Sequence, residues 1–492
     1  MTVRPEFRIT ENALCYAWTE LARRCGGVLA IADGQASISG VCVSYGAPSA
    51  DAAGPEIVIA SADVSSRAEK LLSARDLHRV SKSDLLPANI ACEDSIPVLF
   101  SGDPATRIAE YDSANGRVTL RVDLVATTLF LLGRWEEYGA THLDEHGRFP
   151  ADASLARRAD FVDRPIVDEY AQILAHWIEE LSPHSTLKPR EFTCRLSCDV
   201  DRLRDLRDFA HFARTAAGDL VHRKSLQRAA SSVTKYARQT VRPTSSDECR
   251  AVLELAQLAT QHAIPTTFYF LSGPPRLEDG DYDVRERFVR ELMRELIENG
   301  CEVGLHGSYR SIESSEAVSE QAARIREASG VERPGSRQHY LRFRTPDTWR
   351  DLEAAGLSHD ATLGFADREG FRASTCFPFR PFDFELDREL DLIERPLIAM
   401  DVSLLSYRGL STKEAIERIL ELAARCAAVG GEFSLLWHNS SLVGDRADWR
   451  PIIETVLAQV PLLINGPEKG SQSDSQLGCI DTHKLSTTSS ER

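Results

Sequence analysis

Residues 191–205 read EFTCRLSCDVDRLRD. Phe192, Cys194, Leu196 and Cys198 alternate with Thr193, Arg195, Ser197 and Asp199, a period of two that predicts a strand. Asp199 and Asp201 then project to one side of it, where like charges repel unless something positive lies between them. Taken alone, the pair reads equally well as caps of the following segment, with Arg202 and Arg204 as surface ion partners.

Outward from this strand, residues 190–465 alternate short apolar runs with amphipathic helices. Further strand candidates are TTFYFLS (266–272), CEVGLH (301–306), SRQHYLRF (336–343), HDATLGFAD (359–367), DLIERPLIAM (391–400) and EFSLLWH (432–438). Helices are expected over 246–264 with Ser246 as cap, 281–299 closed by Gly300, 314–329, 411–429 before Gly430 and Gly431, and 447–460. A shorter helix begins near Thr345, a candidate cap, with Pro346 in its first turn. About seven strand–helix units in a row imply a parallel sheet and suit a deformed (β/α) barrel. Between the first strand and Ser246 lies a polar, basic connector.

Residues 1–187 form a smaller mixed α/β domain, with helix candidates at 11–26, 123–139 and 167–181 and strand-like runs at 28–33, 56–61 and 96–102. Residues 466–492 carry few large apolar side chains and read as a disordered tail. The net charge of −16 argues against a general nucleic-acid or acidic-membrane surface, since both need clustered positive charge, and leaves room for a local basic site. The 11 cysteines are scattered without a CxxC, as suits buried thiols in a reducing compartment. The first residues lack the basic and apolar regions of a signal peptide, and no apolar run is long enough to span a bilayer. The expected location is the cytoplasm.

In a parallel α/β domain, functional groups gather at the carboxyl ends of the strands. Those ends carry Asp199 and Asp201, His306, Arg337 and His339, and His438, with Asp360 in the fifth strand candidate. Carboxylates and imidazoles collected at one rim have the chemistry of metal ligands, with one aspartate left over as a base. A divalent cation would also relieve the repulsion between Asp199 and Asp201.

These motifs resemble those of the polysaccharide deacetylases, the NodB-homology carbohydrate esterases. CDVD (198–201) is similar to their TFDDG-type first motif, and CEVGLHGSYR (301–310) resembles the second. RQHY (337–340) matches the frame of the third, R-x-P-Y, and LLWH (435–438) resembles the final L-x-H. The stretches 338–383 and 130–171 further resemble a cytoplasmic branch of that family that carries an extra amino-terminal domain and accompanies surface-polysaccharide genes.

The resemblance implies metal-dependent removal of an acyl group, N-acetyl above others, from an amino-sugar or glycan precursor in surface polysaccharide biosynthesis. It implies Asp199 as catalytic base, Asp201 and His306 as metal ligands, Arg337 as the arginine orienting the base, and His438 as general acid. The implied cofactor is a divalent metal ion, zinc ahead of cobalt, nickel or manganese. Where the family has a second histidine ligand this chain has Arg310, which stays protonated and offers no lone pair. His339, in place of the motif's proline, is the expected substitute ligand, with a substrate contact as its other role.

Tyr309, Asp360 and Trp437 are the candidate substrate-binding residues, although a turn role fits Asp360 and a core role fits Trp437 as well. Cys376 reads as a buried thiol, with no histidine identifiable as its partner. The basic run at 223–243 reads as a solvated connector, or more sharply as a lid that contacts phosphate or sugar-nucleotide. Two other functions fit the same pattern. One is a carbohydrate-binding or scaffold descendant without full metal ligation; the other is an amidohydrolase acting on a non-sugar amide.

Overall fold

The computed structural model describes residues 4–465 apart from 33, 51–53, 91, 93, 102–107, 275 and 277. The expected tail, with Cys479, lies outside the described residues. Cys15, Cys25, Cys42, Cys194, Cys198, Cys249, Cys301, Cys376 and Cys426 are free thiols.

The amino-terminal half is built on a sheet ordered β1-β2-β3-β4-β8-β7, from Leu29–Ala32, Gln35–Ile38, Val41–Tyr45, Glu56–Ile59, Arg117–Leu120 and Ala109–Asp112 in that spatial order. The β3–β4 and β4–β8 pairs are parallel and the others antiparallel. A separate short pair joins β5 (Arg79–Ser81) to β6 (Ser95–Pro97). The helices are α1 (Glu11–Arg24), α2 (Val64–Leu71), α3 (Leu124–Leu132), the single turn α4 (Leu155–Arg158) and α5 (Ile166–Leu181). Every residue of α3 is buried, as expected of a helix apolar all round, and it packs between α1 and α5.

The second half carries an eight-stranded parallel sheet ordered β16-β13-β12-β11-β10-β9-β18-β17. Its strands are β9 (Thr193–Val200), β10 (Thr266–Leu271), β11 (Glu302–Gly307), β12 (Ser336–Gln338), β13 (His359–Asp360), β16 (Ile393–Glu394), β17 (Ala399–Met400) and β18 (Glu432–Leu436). A side hairpin pairs β14 (Phe382–Asp383) with β15 (Arg388–Glu389). Edge strands β16 and β17 are separated by only the short link 395–398. So brief a link reaches at most about 17 Å, so the two edges of the sheet must lie close together. The sheet therefore curls into an incomplete barrel. All six residues of β10 are buried, the pattern of a parallel strand covered on both faces.

Helices α8 (Asp247–Gln261), α9 (Arg287–Glu298), α10 (Ser315–Ser329), α11 (Asp347–Ala354), α12 (Thr412–Ala428) and α13 (Arg450–Gln459) fill the connections. Ser246 caps α8 through the Cys249 N–H, and Ser411 with Glu414 forms a full capping box on α12.

Several local expectations need correction. The connector after β9 is a pair of helices, α6 (Phe209–Val221) and α7 (Leu226–Val241). Helix α9 starts at Arg287 rather than near residue 281, because Asp281 and Tyr282 are engaged elsewhere. Asp281 accepts the Leu203 and Arg204 N–H groups, and the Tyr282 hydroxyl donates to Val200 O while accepting from Leu271 N. The strand expected over 336–343 stops at Gln338, where Tyr340 and Leu341 adopt left-handed φ values of 62° and 54°. The strand candidate at 359–367 keeps only two residues, and that at 391–400 divides into β16 and β17. Thr345 does not cap α11; its hydroxyl donates to Glu137 Oε2 in the other half of the chain.

One continuous apolar cluster runs through both halves, from Phe7 to Val460. Phe7 meets Phe384 at 5.6 Å between ring centroids, and Tyr16 meets Phe382 at 5.1 Å. A buried bridge reinforces this contact, with Arg372 clasping Glu137 at 2.9 and 2.8 Å.

Candidate metal centre

Parallel register brings the functional residues together. Asp199 on β9 is level with Tyr269 on β10, and His306 on β11 is level with Arg337 on β12. All four strands end at one rim, and Asp201 follows the end of β9. Gly307, next to His306, leaves room for Gln338, since a Cβ there would lie 2.2 Å from the Gln338 Oε1. Gln338 in turn accepts the Ser311 hydroxyl and fixes the turn after β11.

Asp201, His306 and His339 each turn a donor atom to a common point, all within 4.8 Å of one another. The Nε2 atoms of His306 and His339 both stand 3.4 Å from Asp201 Oδ1. Tetrahedral ligation at ordinary zinc–ligand lengths separates donor atoms by about 3.4 Å. Asp201 Oδ1 and His306 Nε2 are buried and have no hydrogen-bond partner. Two orphaned polar atoms at ligand spacing fit a cation, which would satisfy both.

The imidazoles are oriented from behind. His306 Nδ1 lies 2.9 Å from Arg337 O, so it is the donor and Nε2 keeps its lone pair. His339 Nδ1 lies 3.1 Å from Asp279 Oδ1, giving a carboxylate–histidine pair of the kind that steadies metal ligands. Burial opposes protonation of His339, but Asp201 and Asp279 outweigh it and raise the group to about 9. Burial likewise disfavours the Asp201 carboxylate, yet His339, His306 and His438 hold it well below the usual carboxylate range. His339 is thus the third donor of this cluster, while Arg310 is solvent-exposed.

Asp199 lies beside this trio, its Oδ2 3.7 Å from His306 Nε2. Its other oxygen accepts from Arg337 Nη1 at 3.2 Å. Arg337 is fully buried, donates also to the Ser197 hydroxyl and Ala361 O, and lies 4.9 Å from the centroid of the Tyr269 ring. Across the site, His438 Nε2 is 3.8 Å from Asp201 Oδ2. Its Nδ1 is held at 2.8 Å by Asp401, which also accepts the His438 N–H. Burial opposes charge on His438, but Asp401 and Asp201 raise it to about 9.

Two of the three candidate substrate residues fall outside the rim. Trp437 is fully buried, because its neighbour His438 faces the site and adjacent residues of an extended chain point to opposite sides. Asp360 is also fully buried and is occupied by Ser336 and Thr362. Burial, with Asp360 alongside, pushes Glu394 well above the usual carboxylate range. Tyr309 does reach the site, where its N–H donates to Asp279 and its hydroxyl lies 3.1 Å from His146 Nδ1. Cys376 is buried with its thiol donating to Asp168.

Sequence reasoning missed Asp279, Asp401 and the loop around His146. This loop comes from the amino-terminal half and is strapped to the rim in both directions. Arg148 donates to Tyr340 O and to the Tyr407 hydroxyl, while Arg342 donates to His146 O and Tyr309 O.

Residues 39–183 match a family model described as a family of unknown function, DUF7033. No curated protein matches the chain. Among solved structures, a Mycobacterium smegmatis protein assigned as a polysaccharide deacetylase is 17% identical, with a TM-score of 0.35 over 60% of this chain and 97% of that one. A family 4 carbohydrate esterase from Streptomyces lividans, solved with acetate, gives 10% identity and a TM-score of 0.26 over 44% and 82%. A 4-alpha-glucanotransferase from Thermococcus litoralis gives 12% and 0.33 over 55% and 37%. Deacetylases are thus among the structural neighbours, at TM-scores too low to assign a reaction.

Proposed function

We propose that this chain is a metal-dependent hydrolase that removes an acyl group, most simply N-acetyl, from an amino-sugar-containing precursor of a surface polysaccharide. The observation that carries it is the convergence of three donor atoms, two of them orphaned, at the spacing a tetrahedral cation requires. Asp201, His306 and His339 would hold the ion. A bound divalent cation supplies Lewis acidity, acidifying water and polarising an acyl oxygen.

The remaining steps belong to side chains. Asp199, fixed by Arg337, accepts a proton from the attacking water. His438, charged through Asp401, gives a proton to the departing nitrogen. Tyr309 offers a polar and aromatic contact at the rim. We assign residues 190–465 as the catalytic barrel and 1–187 as a supporting domain.

The test combines metal analysis with an acetate-release assay on N-acetylated sugar nucleotides and oligosaccharides. One equivalent of metal and acetate release, both lost in Asp201→Ala and His339→Ala, is the expected result. Metal retained by both variants would end the metallohydrolase reading. Metal bound without acetate release across the panel would move the substrate away from amino sugars.

A further inference from the structure

Helices α6 and α7 leave β9 directly after the site and fold back as a hairpin. Its inner face is closed by the Phe212–Tyr236 stack, 4.7 Å between ring centroids, and by polar contacts: Asp219 accepts from Arg223 and Ser232, and Gln239 exchanges hydrogen bonds with the Leu206 backbone. Its outer face is different. Leu226, Val233 and Val241 are 79, 52 and 86% exposed, with Ala230 and Ala237 exposed between them. At the helical repeat these five positions fall in a stripe about 80° wide. Leu220 and Val221, at the turn, are exposed as well. Six of the 15 exposed large apolar side chains among the described residues lie within this hairpin.

Charge singles out the same segment. From Arg207 to Arg242 there are 8 Arg or Lys against 2 Asp, a net +6 in a chain of net −16. Arg223, Lys224 and Arg228 flank the apolar turn. An apolar stripe edged by cations matches a bilayer interface of negative surface potential, and two hairpins facing each other would set like charges together.

We propose that the α6–α7 hairpin docks the protein on an anionic membrane surface, with its turn and the α7 stripe entering the headgroup region. The site rim, from which the hairpin emerges, is thereby brought to that surface. This does not depend on the metal-site reading, and the test uses neither metal nor substrate.

The full chain is floated with vesicles of phosphatidylcholine alone or mixed with phosphatidylglycerol at roughly 7:3. At about 0.1 M salt the bound fraction is expected to be about tenfold higher on the anionic vesicles. Lys224→Gln/Arg228→Gln, which leaves the Arg223–Asp219 pair in place, should sharply reduce that preference. Leu220→Ser/Val221→Ser/Leu226→Ser should lower binding about tenfold and leave the remainder sensitive to salt. Both variants should keep the wild-type circular-dichroism melt. The proposal is overturned if wild type does not prefer anionic vesicles, if either variant binds as wild type does, or if sedimentation shows a dimer that the serine variant abolishes.

Discussion

From the carboxyl end of β9 the chain makes two structures by opposite means. At Asp199 and Asp201 nearly every polar atom is positioned by another: Arg337 holds Asp199, Asp279 holds His339 and Asp401 holds His438. In the α6–α7 hairpin, one aromatic stack and a few polar side chains close the inside while aliphatic ones face outward. The first arrangement resists displacement because each group is buried against a partner. The second has little packing to lose and a surface left unmatched. Rigidity is concentrated where donor spacing matters, and adaptable surface lies where a soft partner would be met.

Substitutions can break this contrast, and the largest effect belongs to the ligands. Asp201→Ala or His306→Ala should weaken zinc binding by about three orders of magnitude, read by competition with a chromogenic chelator. Next come the orienting carboxylates. Asp279→Asn should cost about 10–100-fold in zinc affinity at unchanged fold, and equal affinity would show that His339 needs no support.

A smaller effect concerns pH. Burial pushes Glu248 up to about 8, and Asn439 donates to it. Its folded value exceeds the unfolded value of about 4.3, so the native state holds this proton more tightly. Stability should therefore fall as pH rises from about 4.3 through 8. Glu248→Gln should flatten the decline of Tm across that window by several degrees; parallel curves would refute the assignment. Smallest of all, Leu226→Ser should leave the urea midpoint within error, since an exposed side chain contributes within about 0.5 kcal/mol. A marked loss would mean that the stripe is covered after all.

Much of the site was legible because strand ends can be read from alternation, and alternation placed Asp199, His306 and Arg337 at one rim. His339 was expected as a ligand or a substrate contact only through the family resemblance, whose second motif carries a histidine where this chain has Arg310. Asp279 and Asp401 escaped because they lie outside the strands, where no period marks a side chain's direction. For Trp437 the sequence left a pocket role and a core role open, and its full burial, one residue out of phase with His438, favours the core. The hairpin's basic character was visible in sequence; its apolar stripe was not, since a helix of period 3.6 had to be recognised within a run taken for a connector.

The two arginines that cross between His146 and Tyr340 have a consequence for the protein's history. The residue beside His339 is fastened to a loop encoded almost two hundred positions earlier. Exchanging the amino-terminal half for that of a distant relative would alter the footing of His339 while leaving every ligand's identity intact. Such a recombinant would carry the right letters with a detuned centre, so the two halves are expected to be inherited together rather than shuffled.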